Sequence, residues 1–326
     1  MAVDQKDDFQ ILKVSRIVKE TENISGFELI HPDGLELKAF EAGAHIHVHL
    51  VDELSRQYSL CNNPSETHRY LIAVLNESNS RGGSLHMHTK VTEGDSITIS
   101  GPKNQFPLAT RGAKLHLLFA GGIGITPMLA MVYSLEAAEK PYTLHYCAKT
   151  KSATAFQTRL ESLVKCGELH FHHDNGDPAQ GLNIAAALGE YRVGTHAYAC
   201  GPRGFMTAFT EAVRNWPPHV VHQEYFSARE LTNEEKAFDE KPFDVALRKS
   251  GKVIHVAAGQ SIVDALRESD ITVETDCTEG YCGTCITRYC SGEPVHRDSV
   301  LGDEDRESYV MVCCARSKSD QLELDL

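Results

Sequence analysis

LHLLFAGGIGITPMLAMVYSLEAAEK, residues 115–140, decides the central fold. A short apolar run, LHLLFA, is followed by Gly121-Gly122-Ile123-Gly124 and then by apolar residues at helical spacing. That is a buried strand, a glycine turn and a helix. Thr126 is placed to cap the helix, and Pro127 fits its first turn, where a missing N–H costs nothing. Glycines let a ligand approach the backbone closely, and a helix start offers free N–H donors and positive dipole. Such a turn also serves packing alone. It departs from G-x-G-x-x-G, and YTLHYCA, the next strand, ends not on an acid but on Lys149-Thr150-Lys151.

Outward toward the C-terminus the alternation continues through TAFQTRLESLVK, LHFHH, HAYACGP and FMTAFTEAVRNW. Strand–helix alternation predicts a parallel sheet covered by helices. A second glycine turn, Cys200-Gly201-Pro202-Arg203-Gly204-Phe205-Met206, is expected to border the same crevice as the first. Toward the N-terminus the period changes. ILKVSRIV, ISGFELIH, HIHVHLV, RYLIAVL and SITISG are short strands divided by HPDG, EAGA and EGD, which predicts an antiparallel barrel. His45, His47 and His49 alternate on one strand face, and His170, His172, His173 and Asp174 cluster further on. These are read as a polar outer face and a strand end, since no partner from a third element is visible for a metal.

Beyond the alternating region, SARELTNEEKAFDEKP (residues 227–242) is too polar to bury a core and is read as a linker. After it come a hairpin turning near Ser250-Gly251, a helix at SIVDALRES, a group of cysteines and a terminal strand LELDL.

Ten cysteines occur in 326 residues, and six of them lie between Cys277 and Cys314. Crowding of that kind in a large chain points to a metal site rather than a disulfide framework. Cys277-x4-Cys282-x2-Cys285, with a further cysteine 28 positions on, is the plant-type [2Fe–2S] spacing. Gly280 and Gly283 let the loop turn tightly enough for backbone N–H groups to face the sulfurs. A zinc knuckle would favour two C-x2-C arms, and only Cys282/Cys285 has that spacing. For the fourth ligand Cys313, Cys314 and Cys290 stand open. Cys313 and Cys314 would face opposite ways on a strand, and Cys290 reads as a small buried hydrophobe.

Composition excludes several classes. The formal charge is −13, which repels nucleic-acid phosphates. No run approaches the ~18–20 apolar residues of a membrane span. The charged start, MAVDQKDDFQILK, is unlike a signal peptide, so a cytoplasmic location is expected. Residues 264–326 hold 15 Asp+Glu against 6 Lys+Arg, so a net −9 coincides with the cysteine group.

RQYS (Arg56–Ser59), RGGS (Arg81–Ser84), GGIGITPM with CGPRGFM, and CTEGYCGTC stand in an order that resembles the ferredoxin–NADP reductase superfamily. Over essentially the whole chain the resemblance is to the phthalate dioxygenase reductase and vanillate demethylase reductase family. These are electron-supplying components of Rieske oxygenases. The resemblance implies an FMN-binding antiparallel β-barrel domain at 1–109 and an NAD-binding α/β parallel-sheet domain at 110–228. It implies a linker at 229–241 and a C-terminal β-grasp [2Fe–2S] ferredoxin domain at 242–326.

By the same resemblance, Arg56 pairs with the flavin phosphate, Gln57 belongs to the same motif, Tyr58 packs on the ring and Ser59 lies near flavin N5. Ile72, Ala73 and Val74 line the flavin, and Arg81, Gly82, Gly83 and Ser84 hold its phosphate end. Gly122, Gly124, Thr126, Cys200, Gly201 and Pro202 place the nicotinamide, with Phe226 against the ring. Cys313 is the fourth cluster ligand beside Cys277, Cys282 and Cys285. No side chain need act as acid or base. NADH is the expected donor, although Lys149 and Lys151 could meet the 2′-phosphate of NADPH. The expected partner is an oxygenase component with a Rieske centre. A free ferredoxin, a cytochrome or another monooxygenase is the alternative acceptor, and a non-enzymatic binding module with structural zinc is a remoter one.

Overall fold

The structure, a computed structural model, describes residues 9–50, 54–77 and 82–326. The chain divides into two compact units, residues 1–224 and 225–326.

The first unit begins with β1 (Gln10–Lys19), β2 (Ile24–Ile30), β3 (Ala44–His49), β4 (Ser55–Ser59), β5 (Tyr70–Leu75), α1 (Gly83–Thr89) and β6 (Ser96–Asn104). The strands pair antiparallel in the order β4-β3-β6-β1-β2-β5. The two ends of that order meet where Leu60 bridges Ile72 and Cys61 N–H donates to the Leu71 carbonyl at 2.9 Å. Closure removes the exposed edges that an open sheet would present. Alternation puts Leu12, Val14, Phe27, Leu29, Ile46, Val48 and Ile99 inside, where they form one buried cluster.

Next come β7 (Leu115–Gly121), α2 (Ile125–Ala137), β8 (Tyr142–Ala148), α3 (Gln157–Leu163), β9 (Glu168–His173), α4 (Ile184–Leu188), β10 (Thr195–Cys200), α5 (Arg203–Ala212) and β11 (Val221–Glu224). The five strands are parallel, in the order β11-β10-β7-β8-β9. The chain runs outward from β7 in one direction and then returns to its other side as β10. The crevice between the C-terminal ends of β7 and β10 is therefore the topological switch point. Ile24, Leu71, Ala73 and Phe106 of the barrel share a buried cluster with Leu118, Met128, Leu129 and Tyr198 of the sheet layer. Each such large apolar side chain removed from water stabilises the pairing by about 1.5–3 kcal/mol. The barrel and the parallel sheet are thus one unit.

Thr126 does not cap α2. A 3-10 turn at Gly122–Gly124 moves the helix start forward, so Gly124 occupies the cap position. The Thr126 hydroxyl lies inside the first turn and donates to the Ile123 carbonyl at 3.0 Å. Pro127 does fall in the first turn.

The second unit holds α6 (Asn233–Ala237), β12 (Phe243–Leu247), β13 (Val253–Val256), α7 (Ile262–Glu268), β14 (Ile286–Ser291), β15 (Pro294–Val295), α8 (Asp303–Arg306), β16 (Tyr309–Met311), β17 (Arg316–Ser317) and β18 (Gln321–Leu324). Its five-stranded sheet runs β13-β12-β18-β14-β16, with β12 and β18 parallel and the other pairs antiparallel. Ile262, Val263 and Leu266 of α7 pack on Val245, Leu247 and Leu322 in one core, as in a β-grasp.

Residues 229–241 are polar yet ordered. Thr232 and Glu235 form a capping box at α6. Arg229 donates to the His296 carbonyl at 2.7 Å, and Arg297 pairs with Asp239 at 2.6 Å. Buried Arg316 donates to the carbonyls of Phe238 (3.1 Å), Lys241 (2.7 Å) and Gln260. Cations supplied from 58 to 78 residues downstream do what apolar side chains in this segment cannot.

Candidate functional site

The two glycine turns meet at the switch point. A Cβ on Gly124 would lie 2.1 Å from the Cys200 carbonyl oxygen, and one on Gly121 would lie 2.8 Å from Pro202 Cδ. A Cβ on Gly201 would come within 3.0 Å of Gly121 Cα. Backbone therefore rests on backbone, which only glycine permits. Gly122, Gly124, Thr126, Cys200, Gly201 and Pro202 are thereby brought together. Beyond the C-terminal end of β8, Lys149 and Lys151 are exposed.

On the barrel side, Arg56, Gln57, Tyr58 and Ser59 are consecutive in β4, and Ile72, Ala73 and Val74 are buried in β5. The Arg56 side chain lies over Gly83, with its Cγ 2.5 Å from where a Cβ would stand. Gly82, at φ 94°, turns the chain into α1. A guanidinium at the start of a helix, in a cradle that a side chain would fill, fits an anionic group. Arg81 lies outside the described residues. Phe226 follows β11 and is partly exposed.

One group escaped the sequence reading. Glu224 ends β11, in register with Cys200 of β10. The Ser59 hydroxyl donates to Glu224 Oε2 at 3.4 Å. Burial raises the Glu224 carboxyl to about 8, against the partial opposition of that hydrogen bond. Burial, with Glu224 adding to it, also holds the Cys200 thiol well above the ordinary range. At neutral pH this trio is uncharged and rich in transferable protons. The only sequence signal was an acid at the end of a short strand, in HQEYF.

In the second unit, Cys285 Sγ lies 3.0 Å from Cys313 Sγ. Backbone N–H groups of Glu279 and Tyr281 point at Cys277 Sγ at 3.4 and 3.5 Å, and the N–H of Cys277 points at Cys282 Sγ at 3.4 Å. Contact with Cys277 draws the Cys282 thiol below its ordinary range. Donors aimed at sulfur stabilise thiolates, the form that ligates iron. Cys314 Sγ turns instead toward the Met311 carbonyl, 3.7 Å away, into space left by Gly280. Cys290 lies on β14 outside this group and is half-buried rather than buried.

His45 and His47 are buried, so the alternating histidines of β3 are not an outer polar face; the histidines bond to one another and to nearby hydroxyls. His145 Nδ1 lies 3.1 Å from His172 Nε2, His173 bonds Thr154, and His49 bonds Ser100.

Residues 245–318 match the family model of the 2Fe-2S iron-sulfur cluster binding domain. Residues 100–217 match the N-terminal domain of the dimethylamine monooxygenase subunit DmmA-like family. The phthalate dioxygenase reductase of Burkholderia cepacia is 39% identical, with 100% of both chains covered. The chain belongs to that reductase family. Its members include the vanillate O-demethylase oxidoreductase of a Pseudomonas species, 41% identical over 97% of this chain and 99% of that protein. The reductase subunit of tert-butanol monooxygenase from Aquincola tertiaricarbonis is 42% identical over 97% and 95%.

The solved structure of phthalate dioxygenase reductase, described as modular for electron transfer from pyridine nucleotides to [2Fe–2S], covers 100% of both chains with a TM-score of 0.74 and 38% identity. The structure of an intact type IV self-sufficient cytochrome P450 monooxygenase is also matched, over 98% of this chain and 41% of that one, at TM-score 0.79 and 34% identity. Family membership makes the chain an electron-transfer oxidoreductase with a flavin barrel, a nucleotide-binding sheet and a [2Fe–2S] domain. It sets aside the zinc-bearing binding module. Among the described residues no helix is long and apolar enough to cross a membrane.

Proposed function

We propose that this chain is the reductase component of a cytoplasmic oxygenase system, taking hydride from NADH and delivering single electrons to an oxygenase component with a Rieske centre. The observation that carries the reading is the thiol group with its N–H donors on sulfur, in one chain with the paired glycine turns. FMN, when bound, supplies the exchange of one hydride for two single electrons, and the cluster carries them one at a time.

The chain's own residues place these groups. Arg56, Gly82, Gly83 and Ser84, with Arg81, are assigned the flavin phosphate, while Gln57, Tyr58 and the Ile72–Val74 backbone are assigned the flavin body. The joined turns at Gly122, Gly124, Thr126 and Cys200-Gly201-Pro202 hold the nicotinamide end and keep water out. Ser59 and Glu224 hold protons beside it. Cys277, Cys282, Cys285 and Cys313 are the cluster ligands. The functional division follows: FMN at 1–109, nucleotide at 110–228, a connecting segment at 229–241 and the cluster at 242–326.

Anaerobic titration with NADH should bleach both flavin and cluster absorbance; bleaching of flavin alone would end this reading. Comparing kcat/KM for NADH and NADPH decides the donor, since exposed Lys149 and Lys151 are available to a 2′-phosphate. The likeness to a self-sufficient cytochrome P450 monooxygenase supports a second reading of the acceptor, a cytochrome or other monooxygenase in place of a Rieske centre. Reconstitution with each class of acceptor separates the two.

A further inference from the structure

The thiol group has one open side. Cys277, Cys285 and Cys313 are buried, whereas Cys282 is partly exposed. Gly283, the residue after it, has φ 88° and no side chain to screen that thiol. A Cβ placed there would stand 3.5 Å from Val300 Cγ1 and 3.6 Å from Ile286 Cδ1, so these two apolar side chains flank the bare glycine. Both are exposed, Ile286 at 40% and Val300 at 38%. Ile286 shares an outward face of β14 with Arg288, and Arg288 pairs across the strands with Tyr309 of β16, itself 39% exposed. One exposed apolar residue needs no explanation, but two beside a redox ligand, with a third on the neighbouring strand, do.

The border of this patch is acidic. Three residues beyond Val300 the chain enters α8 and its end, where Asp303, Glu304, Asp305 and Glu307 are all exposed. Arg306, the cation within that run, is turned to Asp298, 3.9 Å from its carboxylate and 3.4 Å from its carbonyl. Arg288 is the exposed cation on the β14 face. The local excess of carboxylates lies within the stretch that carries the chain's net −9.

We infer that Ile286, Val300 and Tyr309, bordered by the α8 carboxylates, form the docking face for an electron-accepting protein whose contact surface is apolar at its centre and rimmed by Lys and Arg. The inference rests on the reading of this unit as the chain's electron outlet, and it names the surface that the outlet uses. An acceptor seated here lies over Gly283, where the absence of a side chain allows its nearest approach to Cys282. The apolar centre excludes water, and the acidic rim steers encounter and sets orientation. A small patch of this kind suits a complex that forms and separates at each turnover. One electron crosses per encounter, from the reduced cluster to the oxidised acceptor, and no atom is transferred.

Ferric cytochrome c, a basic one-electron acceptor, is the probe. Calorimetric titration of the oxidised holoprotein at low ionic strength measures binding without turnover. Glu304→Gln/Asp305→Asn should weaken binding by about tenfold and flatten its salt dependence. Ile286→Ser should weaken it without changing the salt slope. Glu240→Gln/Asp320→Asn removes the same charge elsewhere on this unit and should leave binding within about twofold of the parent. Unchanged binding in the α8 variant, or equal weakening in the control, overturns the docking face. Cluster absorbance reports that each variant is folded and loaded. NADH bleaching of the cluster is read separately, so failure of the electron relay and failure of the docking face are distinguishable.

Discussion

The Ser59 hydroxyl donates to the Glu224 carboxyl at 3.4 Å, joining β4 of the barrel to the edge strand β11 of the parallel sheet. This contact couples a proton-holding group to the place where the two halves of the first unit meet.

Burial lifts Glu224 to about 8, so it is neutral at pH 7 and ionises as pH rises through that value. Because the folded value lies above the ordinary 4.5, its protonated form stabilises the fold at low pH, and that contribution is lost between about pH 4.5 and pH 8. NADH-driven flavin reduction should fall above about pH 8 with a single ionisation. Glu224→Gln keeps an acceptor for Ser59 but cannot ionise. It should remove that ionisation from the stopped-flow pH profile and slow reduction about tenfold or more. A profile unchanged by the substitution would take Glu224 out of the reaction.

The contact between the glycine turns gives a sharper test. Gly124→Ala introduces a methyl 2.1 Å from the Cys200 carbonyl, and backbone must move to admit it. Displacement of about 1 Å at a reacting geometry costs on the order of 100-fold in rate. kcat/KM for NADH should fall by that order while flavin content is retained, measured by absorbance after gel filtration.

Much of this was legible from local sequence. Strand periods, both glycine turns and the cysteine spacing are short-range patterns, and each lies on the element it implied. The contributions of Glu224 and Arg316 were not legible. Glu224 acquires its properties from pairing with β10 and from a hydroxyl 165 residues away. The polar segment 229–241 reads as unstructured because the arginines that hold it, Arg297 and Arg316, come from far along the chain. Thr126 misled for a smaller reason: a 3-10 turn shifts the helix start without altering the sequence pattern.

Paired histidines set an acid limit on the parallel sheet. His145 is lowered to about 4 by burial and by its neighbours His172 and His170, with Glu168 opposing. His222 is lowered to about 4 by burial and by His196, His116 and His219. For each, the folded value lies below the ordinary 6.5, so stability is full above about pH 6.5 and is lost as pH falls toward 4. Discounted for partial exposure, each contributes about 1 kcal/mol between pH 7 and pH 5, together about 5 °C in Tm. Calorimetric Tm values for His145→Gln/His222→Gln should vary less with pH over that range than those of the parent.

The adjacent cysteines separate by geometry. Cys313 Sγ faces Cys285 at 3.0 Å, whereas Cys314 Sγ occupies the space beside Gly280 and approaches the Met311 carbonyl. The two lie in the turn after β16 rather than on opposite faces of a strand, and Cys313 is the one whose sulfur meets Cys285. Cys313→Ser should therefore deplete iron and the visible absorbance of the cluster, and lower the midpoint of chemical unfolding of the second unit, because cluster binding free energy is folding free energy there. Cys314→Ser should retain about two iron atoms per chain and an unchanged reduced-state electron paramagnetic resonance spectrum. Loss of iron in the Cys314 variant with retention in the Cys313 variant would exchange their roles. Loss in both would instead mean that the packing of Cys314 against Gly280 is needed to hold the loop.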